Sequence, residues 1–256
     1  MGWLKRWRRA RVTGREFPAG WRAIIERNVP YRRLLPEAER AELERHVLVF
    51  LAEKSFEGLD GQAITDEVRV TIAAQACLLL LHRRTDYFPG MRTVLVTPRV
   101  YEREDERHLD WGLVEEGVAE FSGESWHRGP VVLAWDDVLD GAADIDDGFN
   151  VVLHEFAHQI DATGGQGDSS AVLQGGGFAA WAAVLGREYE RFAAHVRRGR
   201  RTLLDEYGAE DPSEFFAVAT EYFYEKPVEL SQEHPELYRQ LSLFYEQDPK
   251  AWRTGL

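Results

Sequence analysis

A chain of 256 residues with 44% hydrophobic, 12% aromatic and 29% charged residues is long and apolar enough to bury a sizeable core, which excludes a disordered chain. Its formal net charge of −13 repels a phosphate backbone, so nucleic acid is not an expected partner. A lone cysteine, Cys77, excludes an intramolecular disulfide framework, and the longest apolar run, around residues 70–81, is too short to span a bilayer and is broken by Thr71 and Gln75; a cytoplasmic protein without stable membrane insertion is expected.

The expected division is a basic N-terminal segment over residues 1–20 and a single domain over 21–256. In the first, "WLKRWRRARVTGR" clusters cations around Trp3, Leu4 and Trp7; a solvated, frayed terminus is expected, with contact to an acidic lipid surface as the rival reading. From Pro36 to Ala52, Leu43, Val47 and Leu51 recur in helical steps with charge on the other face. The glycines of "KSFEGLDGQAI" predict a turn, and "TDEVRVTIAAQACLLLLHRR" a central helix capped by Thr65 with Glu67 in its first turn. "RTVLVTP" at 92–98 and "GPVVLAW" at 129–135 read as strands of a small sheet. Between them, Glu102 to Asp110 reads as a solvated loop or exposed edge, and "GLVEEGVAEFSGESW" as a strand pair or hairpin. After residue 162, "TGGQGDSS" and "QGGG" predict a surface loop. Helix then resumes at "FAAWAAVLGREYERFAAHVRRG". "DPSEFFAVATEYFYEKP" is a helix with Asp211 as cap, Pro212 in the first turn, Lys226 at the end and Pro227 as the stop, and "HPELYRQLSLFYEQDPKAW" closes the chain as one more.

The chemistry concentrates in "VVLHEFAHQID", residues 151–161. Residues four apart share a helix face, so His154 and His158 can direct their imidazoles at one point about 2 Å from each ring nitrogen. Glu155 reaches the edge of that point, well placed to take a proton from an activated water. Apolar neighbours on nearly every side predict burial, and two imidazoles and a carboxylate inside a core call for a cation. A catalytic zinc needs a third protein ligand. His46, His82, His108, His127, His195 and His234 lie in no further ligand pattern, whereas Glu214 and Glu221 share a face of the helix after Asp211. Spacing does not choose between them, and Glu214 also fits a capping box with Asp211.

"LHEFAHQID", followed by "DEYGAEDPSEFFAVATEYF", resembles the Mlc titration factor A family of zinc metallopeptidases, whose fold is related to the catalytic domain of anthrax lethal factor. The likeness extends from about Trp21 to Trp252 and is most specific in these two motifs. It implies an α+β, mostly helical, zincin-like (gluzincin-like) fold with a small mixed sheet and an active-site HExxH helix, and one Zn2+ held by His154, His158 and Glu214. It also implies that Tyr207 lies over the open side of the zinc as a donor to the oxyanion, beside Glu155 as general base. Glu221 then moves behind the ligands, to orient a histidine, a role for which Asp161 competes. The activity implied is aminopeptidase-like hydrolysis of a peptide substrate; the rival role is sequestration of a DNA-binding transcriptional repressor, the source of the family's name.

Overall fold

Three short strands form the sheet, and helices joined by turns and loops make up the rest of what the computed structural model describes, residues 3–99, 129–162 and 177–254. Strands β1 (Ser55–Gly58), β2 (Thr93–Thr97) and β3 (Val131–Ala134) pair in that order, both pairings parallel, with Phe56 opposite Val94 and Leu95 opposite Val132. Across its described strands the sheet is therefore parallel, where a mixed sheet was expected. Parallel neighbours need a crossover, and helix α5 (Asp66–Leu78) lies in the one between β1 and β2. β1 occupies the stretch read as a turn: four residues are too few for a period of two to show, and Gly58 and Gly61 dominate the pattern. The hairpin expected within residues 112–126, the acidic stretch 102–110 and the glycine-rich residues 163–176 lie outside the described residues.

Ahead of β1 come α1 (Trp3–Thr13), α2 (Ala19–Asn28), α3 (Tyr31–Leu34) and α4 (Glu37–Glu53). Thr65 caps α5 as expected, its side chain accepting from the Val68 amide, and α5 is buried on nearly every face, Gln75 included. After β3 follow α6 (Trp135–Ala143), α7 (Val151–Asp161), α8 (Gly177–Val196), α9 (Pro212–Glu225), α10 (Pro227–Glu233), α11 (Pro235–Tyr245) and α12 (Pro249–Thr254). Two boundaries differ from the sequence reading for the same reason. Pro227 ends α9 but also opens α10, because proline's fixed φ and missing donor suit a helix's first turn. The single closing helix is broken where Glu246 takes a left-handed φ of 56° and Pro249 starts α12.

The core reaches directly behind α7. Phe156 stacks edge-on against Phe88 at 4.7 Å and meets Phe50 at 5.7 Å, contacts that contribute about 1 kcal/mol each beyond their buried area. Val152, Leu153 and Ile160 are buried with it. This packing fixes the rotation of α7 about its axis, so the opposite face, carrying His154 and His158, is presented to α9.

Candidate metal centre

Two caps set where the helices of the site begin. The Asn150 side chain accepts from the Leu153 amide at 3.0 Å, while its Nδ2 donates to Gln75 Oε1 at 2.9 Å and to the Gly141 carbonyl at 3.0 Å. The side chain of Asp211 accepts from the amides of Ser213 and Glu214 at 2.7 and 3.1 Å, as its position in the sequence predicts. Capped in this way, α7 and α9 pack against each other with Glu214 on the first turn of α9.

His154 Nε2 and His158 Nε2 lie 3.1 Å apart, and Glu214 Oε2 is 3.0 Å from the first and 3.3 Å from the second. The other nitrogen of each ring is engaged: His154 Nδ1 donates to Glu221 Oε1 at 2.8 Å, and His158 Nδ1 donates to Ser213 Oγ at 3.0 Å. Ser213 in turn donates to Asp161 Oδ2 at 3.3 Å. Glu221 thus contacts one histidine directly, and Asp161, the competitor for an orienting role, reaches the other only through Ser213. With Nδ1 carrying the proton on each ring, two Nε2 lone pairs face each other at 3.1 Å, an approach that needs a cation between them. Tetrahedral zinc with ligands at roughly 2.0–2.1 Å sets neighbouring donor atoms about 3.3 Å apart, and these three fit that spacing. Among the described residues, His154, His158 and Glu214 are the one group of three donors close enough to share a metal ion.

In the metal-free protein a proton on His154 takes the cation's place. Burial disfavours charge on His154, yet the carboxylates of Glu221 and Glu214 outweigh it and hold the imidazole up at about 10. Burial would raise Glu214, but the two histidines bring it down to about 2. Burial pushes the Glu155 carboxyl up against the pull of His154 and His158, and pushes Glu221 up likewise. Tyr207 sits on a 3-10 turn, Glu206–Ala209, anchored by Asp205 accepting from its amide at 2.9 Å. Its half-buried ring lies 6.0 Å from that of His154, and burial together with Glu214 raises its phenol, which stays protonated.

Sequence reasoning missed the layer beneath. Glu221 Oε2 accepts from the Asn150 amide at 2.5 Å, tying the start of α7 to α9. Below it, Glu225 accepts from Tyr31 Oη at 2.7 Å and from the Gly148 amide at 3.0 Å. Gly148 holds φ at 89°, and a β-carbon there would come within 2.8 Å of the Tyr222 ring, so only glycine brings that amide to Glu225. Asn150, directly before the apolar run, carried an N-cap signal; Ser213, next to Glu214, and Glu225 carried none that separates them from ordinary helix residues.

An H-E-x-x-H helix whose two histidines meet a glutamate from a second helix defines a metallopeptidase-type centre. The sequence model of the family described as glucose-regulated metallo-peptidase M90 matches residues 4–246. Mlc titration factor A of Serratia proteamaculans is 34% identical over 224 residues, 85% of each chain, and that of Yersinia enterocolitica 32% identical over 239 residues, 92% of this chain and 88% of its own. An uncharacterized protein of Synechocystis sp., slr2042, is 37% identical over 251 residues, 96% of this chain and 90% of its own. The chain belongs to this M90 metallopeptidase family, that of the Mlc titration factors A. Membership implies a bound metal, and the three converging donors are the residues that could hold it.

Proposed function

We propose that the protein is a zinc-dependent, aminopeptidase-like peptidase of zincin-like fold acting in the cytoplasm, with residues 21–256 as its catalytic unit. The observation that carries the reading is the triangle of His154 Nε2, His158 Nε2 and Glu214 Oε2, with sides of 3.0 to 3.3 Å and each histidine oriented from behind. These three residues would hold the zinc, which when bound supplies Lewis acidity, bringing a coordinated water's pKa to around 7. Glu155 takes the proton as water attacks the peptide carbonyl and returns it to the leaving amine. Tyr207 donates a hydrogen bond to the oxyanion of the tetrahedral intermediate, a task that requires the phenol to stay protonated. Glu221 and Ser213 keep both Nε2 lone pairs turned to the same point.

The test is Glu155→Gln. Zinc content and the thermal midpoint should match wild type while hydrolysis of a panel of aminoacyl and internally quenched peptides falls about 10²–10⁴-fold. Hydrolysis at the wild-type rate would remove Glu155 from its role, and purified protein without stoichiometric zinc would remove the metal.

A second reading rests on the names of the relatives, which describe titration of Mlc, and on the net charge of −13, which suits docking to the basic surface of a DNA-binding repressor. Repressor binding that survives in Glu155→Gln would assign an interaction role independent of hydrolysis.

A further inference from the structure

The cationic N-terminus forms helix α1, and the two faces of that helix differ. Helix α1 is docked through one side: Arg9 donates twice to Glu53, at 2.6 and 2.7 Å, and to Asp86 Oδ1 at 2.9 Å, and lies 4.5 Å over the Tyr87 ring. Lys5 pairs with Asp86 at 2.7 Å, and Val12 packs on the core. At 3.6 residues per turn, Trp3 and Trp7 fall on the side opposite this docked face. They are 76% and 55% exposed, with Leu4 beside them at 67%. Arg6 and Arg8 fall on the two flanks of that ridge, and Arg11 lies 5.9 Å from the Trp7 ring; all three are exposed, and no carboxylate among the described residues pairs with them.

Large exposed aromatics are costly in water, and here they form an apolar crest edged by guanidinium groups on a helix without an acidic residue. That is the arrangement of a helix lying in a headgroup layer, with indoles at the acyl boundary and arginines at the phosphates. Charge settles which occupant fits. The first fifteen residues carry six Lys or Arg and no Asp or Glu, on a chain of net charge −13. An anionic surface therefore attracts this helix and repels the body, which orients the molecule. A nucleic acid would call for cations at the crest, where the tryptophans stand. Among the described residues no helix is long and apolar enough to cross a membrane, so the contact is peripheral.

We propose that the outer face of α1, Trp3, Leu4 and Trp7 flanked by Arg6, Arg8 and Arg11, docks the protein reversibly on an anionic lipid surface. The test is co-sedimentation of the full chain with vesicles of phosphatidylcholine alone or mixed with phosphatidylglycerol. Wild type should partition onto the mixed vesicles, weakening with salt, and not onto the neutral ones. Combining Arg6→Gln, Arg8→Gln and Arg11→Gln should weaken partitioning about a hundredfold, at roughly one kcal/mol per arginine. Combining Trp3→Ser and Trp7→Ser should weaken it about tenfold or more by removing the buried apolar area. Both sets leave the docked face and the metal site intact, so the thermal midpoint and metal content should be unchanged. No partition of wild type onto mixed vesicles, equal partition onto neutral ones, wild-type partition of the arginine variant, or tighter binding to duplex DNA than to vesicles would each overturn the proposal.

Discussion

The two ends of α9 hold glutamates in opposite states. At the open end Glu214 meets His154 and His158 and is pulled down to about 2, so it is a carboxylate at any physiological pH. At the buried end burial lifts Glu225 to about 9 against the hydrogen bond from Tyr31, and the nearby acids Glu221 and Asp147 add to the rise, so it is a neutral carboxylic acid. The residue type and the helix are the same at both ends; the neighbours differ, and so does the helix dipole, which favours a negative charge on the first turn and disfavours one on the last. One helix therefore delivers a negative charge where a cation is needed and a neutral hydrogen-bonding group where the core begins, and Glu221 between them bridges the two by holding a histidine on one oxygen and the Asn150 amide on the other.

The largest effect is expected at the open end. Glu214→Gln keeps the side chain's shape but removes its charge, and should weaken zinc binding by about a hundredfold or more, measured by competition with a chromophoric chelator; the metal-free protein should also melt lower, because the histidines that hold Glu214 down lose their carboxylate partner. Wild-type affinity would break the assignment of Glu214 as ligand. Glu221→Gln should cost less, about 10–100-fold, because it removes no ligand but weakens the orientation of His154 and leaves one acceptor for both His154 Nδ1 and the Asn150 amide. A loss as large as that of Glu214→Gln would mean that Glu221 itself moves onto the metal, the alternative that helix spacing alone leaves open.

The buried end should answer to pH instead of metal. A carboxyl raised from its ordinary value of 4.5 to about 9 binds a proton in the folded state that the unfolded state releases, so its contribution to stability is present below 4.5 and is lost as pH rises toward 9. Glu225→Gln mimics the protonated form and removes this linkage. Urea denaturation of the two metal-free proteins should show wild type losing ground to the variant by about 1.4 kcal/mol per pH unit at the steepest part of that window. Parallel stability curves would show Glu225 to be ionised, and the contrast along α9 would disappear.

The contrast also marks what the sequence could disclose. The open end is local: His154, Glu155 and His158 sit on one turn, and Asp211, Pro212 and Glu214 announce the start of α9, so ligand candidates and helix ends were legible together. Choosing Glu214 over Glu221 needed the family resemblance, because residues seven apart share a helix face and only the packing of α9 on α7 separates them. The buried end is non-local. Tyr31 and Glu225 are separated by 194 positions, and Gln75 and Asn150 by 75, so no periodicity links them. The helix α1 was read as a cationic cluster because the acceptors that dock its Arg9, Glu53 and Asp86, are far along the chain.

The smallest effect is expected from the relay behind His158. Ser213→Ala removes the acceptor of His158 Nδ1 and leaves Asp161, which faces solvent, without the serine proton, yet the bond that the histidine itself loses is a neutral one in a partly exposed position. Such a bond contributes about 1 kcal/mol, so zinc affinity should fall about fivefold, and Ser213→Thr should restore it by returning the hydroxyl. His154, held by a buried carboxylate, should suffer more from Glu221→Gln because a charged acceptor makes the stronger bond and nothing replaces it in the core. Equal losses at the two positions would mean that Asp161, acting through one hydroxyl, orients its histidine as firmly as Glu221 does by direct contact.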